Sequence, residues 1–359
     1  MTEADSPHDQ RFLSALAGTS HQIHALRQFD TQPKTPAGVR EVEWPGALPD
    51  WSDWRGWQLG ISQLQKLLDK IQPDLIHAGP VQGPAFLAVQ AGFHPLVTML
   101  WGWDLLKKAK RSPLMRCVTQ NTLTGTDVLL ADCQTVADEA IRYGVQPSQI
   151  VQFPWGVDLT HFSPATSREA GRALRASLGW EENFVILCNR SWSTSYGVDV
   201  LARAFVDAVN DNADLRLLLV GKGPQSLEIC RILEPVSDYV NLPGWLDRDS
   251  LPGAYGAADL FVSPSHCDGS SISLLEALAC GVPVLVSDIP SNREWVTPGE
   301  TGDHFQDGDP ISLHEKLLAM AVDPHLKRYG KQARSLAERR ANWKENFKKL
   351  LGAYEMASG

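Results

Sequence analysis

No stretch of this chain approaches the run of about 18 apolar residues that spans a membrane, so no transmembrane helix is expected. Paired cysteines are missing too. Cys117, Cys133, Cys188, Cys230, Cys267 and Cys280 are scattered, with no CxxC spacing and no Cys/His cluster, which argues against a disulfide framework and a structural zinc site. Basic charge is scarce: 33 Lys and Arg stand against 42 Asp and Glu, a net charge of −9, the opposite of a broad nucleic-acid footprint. The start, Met1-Thr2-Glu3-Ala4-Asp5, has no apolar signal-peptide core. With reduced thiols this points to a cytoplasmic protein. Gly221-Lys222-Gly223 lacks the third glycine and the later acid of a dinucleotide fingerprint, so NAD is not expected. There is no internal repeat and no low-complexity segment.

What is present is ordinary globular material, 43% hydrophobic and 21% charged over 359 residues, too long for one typical core and suited to two domains. Short apolar runs at residues 74–77, 96–100, 128–131, 184–187, 215–220, 260–262 and 282–286 alternate with amphipathic stretches such as 57–71 and 198–209. All-apolar runs of this length suit strands buried on both faces of a parallel sheet, and the alternation predicts an α/β fold. The Pro/Gly-punctuated segment 153–158 reads as the break between two halves. Residues 1–155 form the expected first domain, 156–339 the second, and 340–359 a terminal helix returning to the first. In the first half, residues 5–8 resemble the turn after a strand and 11–16 the following helix. Either that first strand lies outside this sequence or the sheet is one strand short. Trp44, Trp51, Trp54 and Trp57 read as aromatic plugs in a loop or as a surface excursion over a binding cleft.

The chemistry concentrates at residues 264–284. A strand ends in Pro264-Ser265-His266-Cys267-Asp268-Gly269-Ser270-Ser271, and a helix opens near Ser271 and closes at Gly281, a natural C′ glycine. Small residues at a helix start leave backbone N–H groups approachable, and the macrodipole adds about half a positive charge, so a diphosphate would fit. Asp268 and Glu276 can address different parts of one ligand, since an ionised carboxylate accepts several hydroxyl hydrogen bonds. An ordinary strand-loop-helix with solvated acids would carry the same pattern.

This block resembles the signature of the retaining glycosyltransferase family 4, whose usual form is Glu-x7-Glu followed by Ala-x-Ala-x-Gly-x-Pro-Val; here the first acid is Asp268. The likeness extends over Trp155-Gly156-Val157-Asp158, residues 217–223, 240–245, 257–265 and 287–294, almost the whole second half. The resemblance implies a GT-B fold of two Rossmann-like α/β/α domains facing each other across a cleft. It also implies transfer of a hexose-type sugar from a UDP- or GDP-linked donor to a glycan or lipid-linked acceptor, with anomeric retention and no metal or cofactor. It assigns catalysis to Arg190, Asp268 and Glu276. Donor contacts fall on Gly269, Ser270, Ser271, Ile272, Tyr196, Lys222 and Trp245, with His8, Trp101 and Asp104 on the acceptor or sugar side.

Two further positions depart from the family. Tyr196 stands where a diphosphate-binding Lys is usual, and Trp101 where many relatives carry His. These substitutions motivate two alternatives: a degenerate GT-B protein that binds nucleotide sugar or glycan without turnover, and a GT-B-like sugar-nucleotide epimerase. Asp307-Gly308-Asp309 mimics an Asp-x-Asp metal site but reads as a turn before a helix. His21 and His24 lack a ligating partner and read as structural. Lys107, Lys108, Lys110, Arg111 and Arg116, beside Leu105, Leu106, Leu114 and Met115, make the one basic cluster. It reads either as a solvated helix face or as a peripheral contact with anionic membrane, which the resemblance favours.

Overall fold

The structure, a computed structural model, describes Met1 and residues 7–27, 35–44 and 48–359. It divides into two compact units, Met1–Phe153 with Lys349–Gly359, and Pro154–Lys348.

The first unit holds two parallel sheets. β1 (Ile23–Arg27) pairs with β2 (Val39–Glu43). β3 (Ile76–Ala78), β4 (Leu96–Met99), β5 (Val128–Ala131) and β6 (Ile150–Gln152) form the other, in that order. Helices α1 (Pro7–Ala17), α2 (Trp54–Ile71), α3 (Phe86–Gln90), α4 (Trp103–Leu106), α5 (Pro113–Thr124) and α6 (Gln134–Arg142) accompany them. Leu96, Val97 and Leu129 are wholly buried, as strands covered on both faces require.

Met1 lies against β3. Its amino group donates to the His77 carbonyl at 2.6 Å and its carbonyl accepts from the Gly79 N–H at 3.1 Å, the pairing of a single residue in a parallel ladder. Residues 2–6, which include half of the expected turn, are outside the described residues, and Pro7 and His8 lie in the first turn of α1. The tryptophans form a plug: Trp51 stacks on Trp57 at 4.3 Å, Phe86 meets both edge-on, and Trp57 donates to the Asp50 carbonyl. Only Trp54 is strongly exposed.

The second unit is one six-stranded parallel sheet of β7 (Phe184–Cys188), β8 (Leu215–Val220), β9 (Val240–Gly244), β10 (Leu260–Ser263), β11 (Val284–Ser287) and β12 (Gly302–Phe305). Their order across the sheet is β12-β11-β10-β7-β8-β9. Chain progression reverses between β7 and β10, the switch point where open α/β sheets bind ligands outside their carboxyl ends. One face packs on α8 (Val198–Asp211), α9 (Ser226–Leu233) and α13 (Pro310–Ala321), around Phe205, Leu217 and Leu313. The other packs on α10 (Leu251–Ala257), α11 (Ile272–Ala279) and α14 (Leu326–Arg340), around Tyr255, Phe261 and Leu278. α7 (Pro164–Leu178) approaches α10 so closely that a Cβ on Gly171 would stand 2.1 Å from the Gly256 backbone. α12 (Pro290–Arg293) is a single turn, and α15 (Trp343–Ser358) begins in this unit, with its residues from Lys349 onward grouped with the first.

Candidate active site

Two loops make the site, one on either side of the switch point. The first leaves β7 as Asn189-Arg190 and reaches α8 through Tyr196 and Gly197; the second leaves β10 and reaches α11 through Asp268. They are stitched together. The His266 N–H donates to the Ser195 carbonyl at 3.0 Å, and the Ser287 hydroxyl donates to the Ser265 carbonyl at 2.5 Å. Gly197, at φ +59°, lies so near that a Cβ would stand 2.2 Å from the Pro264 carbonyl oxygen. His266 hydrogen-bonds Asp307 at 2.6 Å, and Trp295 donates its indole N–H to Ser270 at 3.0 Å.

Arg190 sits at the junction, mostly buried. Its Nη2 pairs with Asp268, and Nη1 donates to the hydroxyls of Ser271 at 2.6 Å and Ser273 at 2.8 Å. The guanidinium lies 4.4 Å over the Tyr196 ring, so the aromatic face that replaces a lysine acts as a cation–π support. Nε is buried and finds no acceptor among the described residues. Burial raises the Asp268 carboxyl above its ordinary range, opposed by Arg190 and the Gly269 N–H. Asp268 and Arg190 are therefore brought together as a pair, a contact that their spacing in the sequence does not reveal.

Glu276, half-buried on α11, accepts from the Tyr255 hydroxyl at 2.8 Å. Gly269, Ser270 and Ser271 lead into the helix, whose first residue is Ile272 and whose N-cap is Ser271. The β8 loop lies alongside: a Cβ on Gly221 would stand 3.1 Å from the Arg190 carbonyl oxygen, and Trp192 donates its backbone N–H to the Lys222 carbonyl. Lys222 is exposed with its stem against Gly244, and Trp245, directly after β9, is 68% exposed. Every donor-side residue expected from the sequence thus lies at the carboxyl edge of this one sheet.

The residues expected on the acceptor side lie in the first unit. Trp101 is half-buried against Gly79. Asp104, expected as an acceptor or sugar contact, is closed in by backbone. It is 1% exposed and accepts backbone N–H bonds from Trp101, Val81 and Leu105, bracing the loop after β3. Burial pushes its carboxyl up to about 6 against those hydrogen bonds.

The basic cluster is not one helix face. α4 ends at Leu106, a 3-10 turn covers Lys108–Lys110, and α5 starts at Pro113. Leu105 and Met115 are buried, Lys108 donates to the Gln82 carbonyl, Lys110 pairs with Glu139, and Arg111 lies over Trp103. Lys107 is half-buried, while Arg111, Arg116 and Leu114 face outward. Asp309 caps α13 through the Ile311 and Ser312 N–H groups, while Asp307 is the partner of His266. Beyond Asp307 the ends of β11 and β12 open into a recess of about 430 Å³ lined by Asp288, His304 and Ser312 among others.

Both units are parallel α/β folds, and the second has switch-point order with a cation and two carboxylates at the switch; this is the architecture of GT-B glycosyltransferases. Residues 182–323 match the family described as glycosyl transferases group 1, and residues 1–133 match glycosyl transferase 4-like. The GDP-mannose-dependent monoacylated alpha-(1-6)-phosphatidylinositol monomannoside mannosyltransferase of Corynebacterium glutamicum is 30% identical over 279 residues, 74% of this chain and 71% of that protein. The D-inositol 3-phosphate glycosyltransferase of Streptomyces bingchenggensis is 29% identical over 241 residues, and the match spans only 52% of its length. Among solved structures, Anabaena HepE in complex with UDP superposes with a TM-score of 0.82 at 18% identity, over 99% of this chain and 98% of that one. Sucrose-phosphate synthase from Thermosynechococcus elongatus gives 0.80 at 21%, over 99% and 94%. These structures share the fold of two Rossmann-like domains. The chain belongs to the glycosyl transferases of group 1.

Ser273, Tyr255 and Trp295 had no place in the sequence reading. Ser273 was visible as a small residue two positions into the helix; Tyr255 and Trp295 reach the site from other elements, and only the fold reveals them.

Proposed function

We propose that the chain moves a hexose-type sugar from a UDP- or GDP-linked donor to a glycan or lipid-linked acceptor, retaining the anomeric configuration and using no metal ion. One observation carries the reading: a guanidinium fixed at the switch point by Asp268, Ser271 and Ser273, with its Nε lacking an acceptor among the described residues. A buried, positioned cation is what a leaving nucleoside diphosphate needs, because catalysis here consists of holding the donor and stabilising charge as it develops on phosphate.

In this reading Arg190 and the Ser271–Ile272 amides take the diphosphate, Glu276 the ribose, and Asp268 the sugar hydroxyls, while Lys222 and Trp245 flank the nucleotide. The leaving phosphate helps deprotonate the acceptor hydroxyl on the same face. The names of the two bacterial relatives put inositol phosphate and phosphatidylinositol mannosides first in the acceptor panel. Peripheral contact with anionic lipid would fall to Arg111 and Arg116 beside Leu114, with Lys107, Lys108 and Lys110 behind them.

Thermal unfolding against a panel of UDP- and GDP-sugars tests the donor class. The right donor at a hundredfold excess over Kd stabilises by about 2.7 kcal/mol, a rise of roughly 5–10 °C for a unit of this size. A flat panel sinks the reading. Initial rates are expected to be unchanged by EDTA; strict dependence on added Mn²⁺ would instead turn attention to Asp307 and Asp309. Tyr196 in place of a lysine supports a second reading, donor binding without turnover, and tight binding with no transfer to any acceptor would favour it. An NMR time course that shows donor conversion without acceptor would favour an epimerase.

A further inference from the structure

Tyr255 lies on α10, outside both site loops, and is fully buried, yet its hydroxyl has three polar partners at the site. It accepts from Asn189 Nδ2 at 2.8 Å and faces two acceptors, Glu276 Oε2 at 2.8 Å and the Ser273 carbonyl at 3.1 Å. A phenol has one proton to give. The carboxylate is the nearer acceptor and the charged one, and charge-assisted bonds are the stronger, so the proton goes to Glu276. Asn189 must then be the donor to the phenol, which leaves its own Oδ1 buried without a partner among the described residues. Asn189 also immediately precedes Arg190.

We propose that Tyr255 is a positioning residue for the donor's ribose: by holding Glu276 Oε2 it fixes the orientation of the carboxylate that meets the ribose, and through Asn189 it ties that orientation to the loop carrying Arg190. The inference rests on the ribose role of Glu276 proposed above. Burial, with the Glu276 charge second, keeps the phenol well above its usual range, so it remains a donor throughout the working pH range. The ring itself is a core element, meeting Phe162 at 6.0 Å and Phe261 at 5.9 Å, and a phenylalanine would fill the same space.

The test is calorimetric titration of wild type, Glu276→Gln and Tyr255→Phe with UDP and GDP, each compared with its 2′-deoxy and 3′-deoxy counterparts. Wild type is expected to prefer the ribonucleotide, and Glu276→Gln to lose that preference. Tyr255→Phe should weaken the preference about fivefold to tenfold, since one hydrogen bond to a charged group is removed, while affinity for the deoxynucleotides stays near wild type. A merely structural role would weaken ribo and deoxy ligands alike. Asn189→Ala, which leaves the ring in place, should shift the preference in the same direction by a smaller factor. This variant decides the matter should Tyr255→Phe fold poorly. A wild type indifferent to ribose hydroxyls overturns the ribose role of Glu276 and this inference with it. A discriminating wild type alongside an equally discriminating Tyr255→Phe overturns the positioning role alone.

Discussion

Replacing Arg190 with alanine is expected to cut turnover by about 10²- to 10³-fold, the range seen when one preorganised donor to a developing oxyanion is lost. The same substitution strips the mostly buried Asp268 of its counter-ion and leaves the Ser271 and Ser273 hydroxyls without their shared cation. Breaking one side of a buried pair costs about 3 kcal/mol, so the variant should also unfold at lower temperature. A double variant, Arg190→Ala with Asp268→Ala, removes the orphaned carboxylate. It should regain most of the stability and none of the activity. Unfolding curves and single-turnover transfer measured on both variants separate the two effects. Near-normal transfer by either would remove Arg190 from the mechanism.

Gly197→Ala is the second large effect. Gly197 adopts φ +59°, which costs an L-residue about 1–2 kcal/mol, and its new methyl would lie 2.2 Å from the Pro264 carbonyl oxygen. Overpacking against backbone adds about 1–3 kcal/mol, so a loss of roughly 2–5 kcal/mol is expected in chemical denaturation. The strain enters at the head of the loop that carries Asp268, so transfer should fall more steeply than the folded fraction does. Stability lost with activity per folded molecule preserved would show that the two loops are not functionally coupled. Wild-type stability would contradict the close approach itself.

The sheet of the second unit was legible because parallel strands buried on two faces are largely apolar, and β7, β8, β10 and β11 are such runs apart from Arg216 and the terminal Ser263 and Ser287. β12 (Gly-Asp-His-Phe), β6 and the β1–β2 pair carry polar residues at edge positions, so their pattern is no stronger than a loop's. The site loop was visible by its small residues and paired acids, yet what those acids do was not. Sequence spacing put Asp268 and Glu276 on different parts of a ligand. In space, one is occupied by Arg190 and the other by Tyr255, from elements tens of residues away. Asp104 shows the same limit from the other side: an acid at a strand end looks available until three backbone N–H groups close on it.

The pairing of Arg190 with Asp268 also gives the resting protein a tethered competitor. An anion arriving at that guanidinium meets a carboxylate already held at high effective concentration by the chain. A ligand that offers only one charged group, such as chloride or inorganic phosphate, exchanges like for like and gains little. In the proposed function a nucleoside diphosphate brings two charged groups and a ribose for Glu276, so it would gain from the exchange. Selectivity against the abundant small anions around the protein would then begin before any sugar is recognised, and it would be set by a residue that carries negative charge.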